Sequence, residues 1–192
     1  MTSGQVEARA GRVLVVCTGN VCRSPFIERM LRVSVPGSVV VTSAGIEALV
    51  GEAIDPAVAE LLGRHGGDAE GFAARQVTAE MVAEADLVLT ATRAHRAAVA
   101  SLQWRALRYV FTLGDFSDLA VGLDIDASSE RAAGSWVANV ARAVADRRGT
   151  VPPRKADEVD IVDPYRREDR VMSAMARQVL AALPPVLGLL RG

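Results

Sequence analysis

Apolar positions follow two rhythms along this chain. Short runs rich in β-branched and aromatic residues, Val13–Val16, Val39–Thr42, Leu87–Thr90 and Tyr109–Leu113, read as four strands. Between them apolar residues recur at helical spacing. Phe26, Ile27, Met30 and Leu31 share one side of a helix over 25–33, with Glu28, Arg29 and Arg32 on another, and Pro36-Gly37 ends it. Ser24 is placed to cap that helix and Pro25 to open it. Asp55-Pro56 starts a helix ending near Gly63, a role that accounts for Asp55 as structure. Thr78 and Thr92 read as caps of two further helices, and His95 as a solvated residue of the second. Strands alternating with helices predict a parallel sheet, right-handed crossovers and helices on both faces: a single three-layer α/β domain. Ligands in such sheets sit at the carboxyl ends of the strands.

The last third follows a looser pattern. From Asp115 to Asp160 the expected helix carries Trp136, Val137, Val140, Ala141 and Val144 on one face, with Ser128-Ser129-Glu130 as its cap. Val151-Pro152-Pro153 breaks it, and 155–160 reads as charged loop. The segment is expected to pack over the sheet edge and return the chain to Asp163. A final helix from Asp169 to Leu183 has Val171, Met175, Val179 and Ala182 in register, and Pro184-Pro185 should break it. Residues 1–12 are small and polar and read as a mobile extension, which leaves 13–192 as the domain.

Composition narrows the function classes. A chain of 192 residues, half of them apolar, suits one soluble domain with a real core. A formal net charge of −1 leaves no footprint for nucleic acid, and no polybasic tract points to a membrane surface. No apolar leader is evident, and no apolar run of membrane-spanning length is expected. The two cysteines lie five apart, neither a disulfide framework nor a zinc site. They suit a reducing compartment, and a cytoplasmic protein is the expectation.

Those cysteines belong to the most informative stretch, Cys17-Thr18-Gly19-Asn20-Val21-Cys22-Arg23-Ser24-Pro25, which leaves a strand and enters a helix. Such a loop can turn its N–H groups inward around an anion. If the anion is a phosphate ester, each residue has a task. Cys17, facing those amides, a helix terminus and a guanidinium, would be a thiolate nucleophile. Arg23 can hold two phosphate oxygens at once. Asn20 tolerates the left-handed backbone that a tight ring of amides needs. Ser24 can donate to the sulfur and ease its departure from a phosphocysteine.

This string resembles, almost letter for letter, the active-site loop of low-molecular-weight protein tyrosine phosphatases. The likeness extends through Thr42-Ser43-Ala44-Gly45 and Ala85–Leu89 and is weakest between Asp115 and Asp160, which is longer than the family usually has. It implies a sheet order of 2-1-3-4. It also implies a hydrogen bond from Ser43 to Asn20 that supports the loop, although a plain strand-end serine reads equally well. An Asp-Pro pair near the C-terminus supplies the family's general acid, and Asp163-Pro164-Tyr165 matches it. Asp163 would protonate the leaving oxygen and then activate water, while Tyr165 would wall the pocket. Thr18, Gly19, Asn20, Val21, Cys22 and Ser24 would complete the phosphate site. No metal or cofactor is implied.

The favoured reading is a phosphatase acting on phosphotyrosine in proteins. In arginine phosphatases of the same family the position of Val21 tends to be threonine, and valine suits an aromatic ring better. An arginine or small-molecule phosphatase stays open. An arsenate reductase would need further cysteines than Cys17 and Cys22, and a non-catalytic phosphate-binding module would be expected to lack Cys17, Arg23 or Asp163. Cys22 is either a reversible disulfide partner for Cys17 or a small filler beneath the loop.

Overall fold

The computed structural model describes residues 9–125, 134–152 and 154–192. Four strands, β1 (Gly11–Cys17), β2 (Val39–Gly45), β3 (Leu87–Thr90) and β4 (Val110–Thr112), form one parallel sheet in the order β2-β1-β3-β4. The expected order and class hold. Among the described residues eight helices connect and cover it: α1 (Arg23–Arg32), α2 (Pro56–Arg64), α3 (Ala79–Glu84), α4 (Arg93–Leu102), α5 (Leu113–Ala120), α6 (Trp136–Asp146), α7 (Ala156–Val159) and α8 (Asp169–Leu190). A 3₁₀ turn at Trp104–Arg108 leads into β4. Because side chains alternate along a strand, β1 feeds two cores. Val13, Val15 and Cys17 pack with Phe26, Ile27, Leu31 and Val179 on one face, and Leu14 and Val16 with Val82, Val99 and Ala106 on the other. Cys17 pairs with Gly45, and Val16 with Thr90, so three strands finish at one end and hold the loop after β1 between them.

Several boundaries differ from the expectation, each through a contact distant in sequence. Strand β1 starts at Gly11, within the anticipated extension, because Gly11 N donates to Ser38 O (2.8 Å) and Arg12 N to Asp86 Oδ2 (2.9 Å). Residues 1–8 of that extension lie outside the described residues. Strand β2 runs three residues past Thr42, since Ser43–Gly45 pair with Val15–Cys17. Strand β4 is shorter than Tyr109–Leu113: the Thr112 hydroxyl accepts from Asp115 N (3.0 Å) and starts α5 at Leu113. Asp55, Thr78 and Thr92 cap their helices as expected.

The segment before Asp163 does more than line an edge. Helix α6 is capped by Ser135, whose hydroxyl accepts from Ala138 N (3.2 Å) and donates to Asp86 Oδ2 (2.7 Å); Ser128-Ser129-Glu130, anticipated as the cap, lies outside the described residues, as does Pro153 of the anticipated break. Val137, Val140, Ala141 and Val144 are buried in the larger core over β1 and β3. A Cβ on Gly11 would lie 2.3 Å from Val137 Cγ2, so the helix sits directly on the strand. The charged stretch 155–160 contains the single turn α7, closed by Asp160 N to Ala156 O (2.8 Å).

Helix α8 continues through Pro184 and Pro185 instead of stopping at Leu183. An interior proline costs roughly 3 kcal/mol, but Val186, Leu189 and Leu190 beyond the pair are buried, each worth ~1.5–3 kcal/mol. Tertiary packing therefore outweighs the local signal. At 22 residues, with a mean hydropathy of 1.3 in its most apolar window, α8 is long and apolar enough to cross a membrane by length and composition, contrary to the expectation. Its stripe of Met175, Val179, Leu183, Val186 and Leu190 is buried in the core, and it packs against α1, α2, α5 and α6.

Candidate active site

The loop between β1 and α1 is held from outside by its carbonyls. Those of Cys17, Thr18, Gly19, Val21 and Cys22 accept from the amides of Ile46, Glu47, Leu49, Asp55 and Phe26 at 2.9–3.1 Å. Among the described residues, none of the N–H groups of Thr18 to Cys22 is given to another protein group. With the carbonyls turned outward, these donors are free to converge on an anion. Asn20 has φ of 55°, the left-handed conformation the sequence led one to expect. Its amide nitrogen donates to Ser24 Oγ and Ser43 Oγ, both at 2.9 Å, and its oxygen accepts from Arg75 N (2.8 Å). One side chain thus ties the loop to α1, β2 and the segment before α3.

Ser24 is not the cap of α1. The helix begins at Arg23, with Cys22 at its N-cap position, so Ser24 sits in the first turn and its hydroxyl lies 2.9 Å from Cys17 Sγ. Ser24 Oγ accepts from Asn20, and its own proton has two acceptors, the sulfur at 2.9 Å and the more distant Ala44 O at 3.4 Å. Cys17 and Cys22 are both free and buried. Burial pushes the Cys22 thiol up to about 12, with Asp55, Cys17 and Asp163 adding to the effect, so Cys22 stays a neutral thiol.

Arg23 is 5% exposed and points back over the loop. Its Nη2 lies 2.9 Å from Asp163 Oδ2 and donates to Thr18 Oγ1 (3.1 Å), while Nη1 donates to Ile161 O (3.5 Å). Asp163 is half exposed, and Oδ1 accepts from Tyr165 N (3.2 Å) across the rigid Pro164. A cavity of about 140 Å³ is lined by Cys17, Thr18, Gly19, Val21, Cys22, Arg23, Asp163 and Tyr165, joined by Glu47 and Leu49. Asn20, Ser24 and Ser43 lie behind it as support. Larger clefts among the described residues, one beside Arg93 and Arg154 and one beside Glu28 and Phe72, are lined by no cysteine.

Four residues of this site escaped the sequence reading. Glu28, placed on an outer face, is buried and accepts from Ser43 Oγ at 2.5 Å; Arg29 beside it is buried by Asp68, Glu70 and Phe72, which cover that side of α1. Arg75 holds Ser43 O through Nη2 (2.9 Å) as well as Asn20 through its amide. Gly45 lets β2 meet the loop, since a Cβ there would lie 2.2 Å from Thr18 O and 3.0 Å from Asn20 N. Both obstacles are backbone. Gly45→Ala is expected to destabilise the fold by ~1–3 kcal/mol and to weaken inorganic phosphate binding, as thermal melting and titration would show.

The fourth is His95, which is 4% exposed and not a solvated helix residue. Its Nε2 lies 2.9 Å from Thr18 Oγ1 and its Nδ1 2.8 Å from Thr92 Oγ1. No local pattern marks it, because Thr18 is 77 positions away. Burial, then the Arg23 charge, pulls its pKa from 6.5 down to about 4. The unfolded chain therefore takes up the extra proton first as pH falls. The stability involved, roughly 3 kcal/mol at most, is fully present above pH ~6.5 and drains away towards pH ~4. Denaturant midpoints across that window should fall further for the wild type than for His95→Gln.

A family model described as low molecular weight phosphotyrosine protein phosphatase matches residues 12–135. The chain belongs to that family. It is 40% identical over 109 residues to the probable low molecular weight protein-tyrosine-phosphatase EpsP of Ralstonia nicotianae, across 57% of this chain and 74% of that one. Matches to other curated relatives span as little as 56% of their lengths. The crystal structure of the Erwinia amylovora tyrosine phosphatase AmsI shares the fold with a TM-score of 0.68 at 23% identity, covering 96% of this chain and 95% of that one. The YwlE arginine phosphatase of Geobacillus stearothermophilus does so with a TM-score of 0.66 at 24% identity, over 93% and 91%. The fold is thus common to phosphatases of different substrate, and the family model ends before α6 and the Asp163 loop.

Proposed function

We propose that the protein hydrolyses phosphotyrosine in protein substrates through a phosphocysteine on Cys17. The observation that carries this reading is the convergence, in the lining of one small cavity, of Cys17, Arg23 and Asp163 with the apolar surfaces of Val21, Leu49 and Tyr165. The loop amides and Arg23 take the phosphoryl oxygens. Cys17 attacks phosphorus as protonated Asp163 gives its proton to the departing phenolic oxygen. The resulting Asp163 carboxylate then takes a proton from the water that attacks the phosphocysteine, and Ser24 donates to the sulfur as it leaves. Every charge in this sequence is met by a group of the chain itself.

The walls support an aromatic leaving group. The Val21 side chain has no hydrogen-bonding group to offer, and Leu49 and Tyr165 add apolar surface to the lining for a flat ring. Matched peptides bearing phosphotyrosine, phosphoserine or phosphoarginine test the choice. The phosphotyrosine peptide is expected to have a kcat/KM at least ~10-fold above the others, the scale of a buried apolar contact in a specificity pocket. Preference for phosphoarginine would keep the mechanism and replace the substrate. Tight binding of inorganic phosphate without turnover of any peptide would point to a binding module.

A further inference from the structure

His95 makes contacts that a merely space-filling core residue would not need. Thr92 Oγ1 accepts from the His95 backbone N–H as the cap of α4 (3.2 Å), and Nδ1 is its one other polar neighbour among the described residues. If Nδ1 carried the ring proton, Thr92 Oγ1 would accept twice and its own hydroxyl proton would have no protein acceptor among the described residues. If Nδ1 is bare, Thr92 donates to it and every group is satisfied. The ring proton then sits on Nε2 and is given to Thr18 Oγ1 (2.9 Å). That oxygen also accepts from Arg23 Nη2 (3.1 Å). With both acceptor sites filled, its hydroxyl proton must leave in a third direction. Thr18 lines the cavity with Cys17, Arg23 and Asp163.

We propose that His95 is a positioning residue for phosphoryl transfer: a neutral imidazole protonated on Nε2 fixes the Thr18 hydroxyl so that its proton is offered to an oxygen of the bound phosphoryl group. The chain Thr92–His95–Thr18 acts as a relay of orientation, running from the cap of α4 into the catalytic loop. No proton moves along it during the reaction. Burial of the ring and the adjacent Arg23 charge keep the imidazole neutral, and a second cation at this point would repel the guanidinium that holds the phosphate. The proposal rests on the phosphatase reading above for its chemistry, but not for its test.

His65 is the chain's one other histidine, so two-bond ¹H–¹⁵N correlation spectra of the full-length protein and of His65→Gln assign the His95 ring. With inorganic phosphate bound, the proton is expected on Nε2; a proton on Nδ1 would overturn the proposal. Inorganic phosphate affinity supplies the second arm. His95→Phe and Thr18→Val are each expected to weaken it about tenfold, the worth of a hydrogen bond to a charged group. The double variant should bind no more weakly than either single one, because both changes remove the same donor. His95→Gln, whose amide N–H can replace the Nε2–H, should stay within about threefold of wild type. Additive losses, or a glutamine variant as weak as the phenylalanine one, would assign His95 to packing alone. Neither arm uses peptide turnover, so a failure here and a failure of the phosphatase reading are told apart.

Discussion

Replacing Cys17 with serine is expected to lower phosphotyrosine peptide turnover by on the order of 10⁴-fold or more while leaving the fold and phosphate binding in place. The argument is about protons. Ser24 Oγ, fed by Asn20, offers a hydrogen bond to whatever atom stands at the Cys17 Sγ position, 2.9 Å away. A thiolate gains from that donor, whereas a serine hydroxyl needs a base instead. None is at hand in this step: both His95 nitrogens are engaged with threonines, and Asp163 must enter it protonated to act as the acid for the leaving oxygen. Oxygen is smaller than sulfur, so the buried position accepts it without overpacking. Turnover assays beside a phosphate titration check both halves. Turnover surviving in Cys17→Ser would place the nucleophile elsewhere.

Asp163→Ala should slow hydrolysis of a phosphotyrosine peptide by ~10²–10⁴-fold, the range of general acid catalysis. The variant has little structural cost to pay, since the side chain is 52% exposed and its partners are Arg23 and the amide of Tyr165. Asp163→Asn sharpens the test: its amide can keep the bond to Tyr165 N yet cannot deliver a proton, so it should be as slow as alanine. A nitrophenyl ester, whose leaving group needs less help from an acid, should lose less. If asparagine restored the rate, Asp163 would be orienting the loop and not donating.

What the sequence disclosed, and what it hid, divides by contact distance. The Cys17–Pro25 string, the left-handed Asn20 and the caps at Asp55, Thr78 and Thr92 express short-range chemistry and are readable from neighbours. Glu28 and His95 are polar residues on helices that are buried against partners 15 and 77 positions away, where helical periodicity assigns them to solvent, and the exposed Arg75 reaches Ser43, 32 positions back. Gly45 gives no local signal either, because its need for a bare Cα arises from Thr18 across a strand pair. The prolines of α8 misled in the opposite sense: a strong local stop is overridden by the burial of Val186, Leu189 and Leu190. Of the two tasks the sequence suggests for Ser24, one holds: its hydroxyl lies beside the sulfur, but it does not cap the helix.

Asn20 gives the loop a dependence on time as well as on space. Its link to Ser24 closes over four residues, but those to Ser43 and Arg75 span 23 and 55. A chain leaving the ribosome with β1 and α1 complete would already carry the cysteine and the arginine, without the partners that keep Asn20 left-handed. The cradle is finished only when β2 has paired and the stretch around Arg75 has docked. Reactivity toward phosphate esters is therefore a property of the mature molecule, withheld from the nascent one.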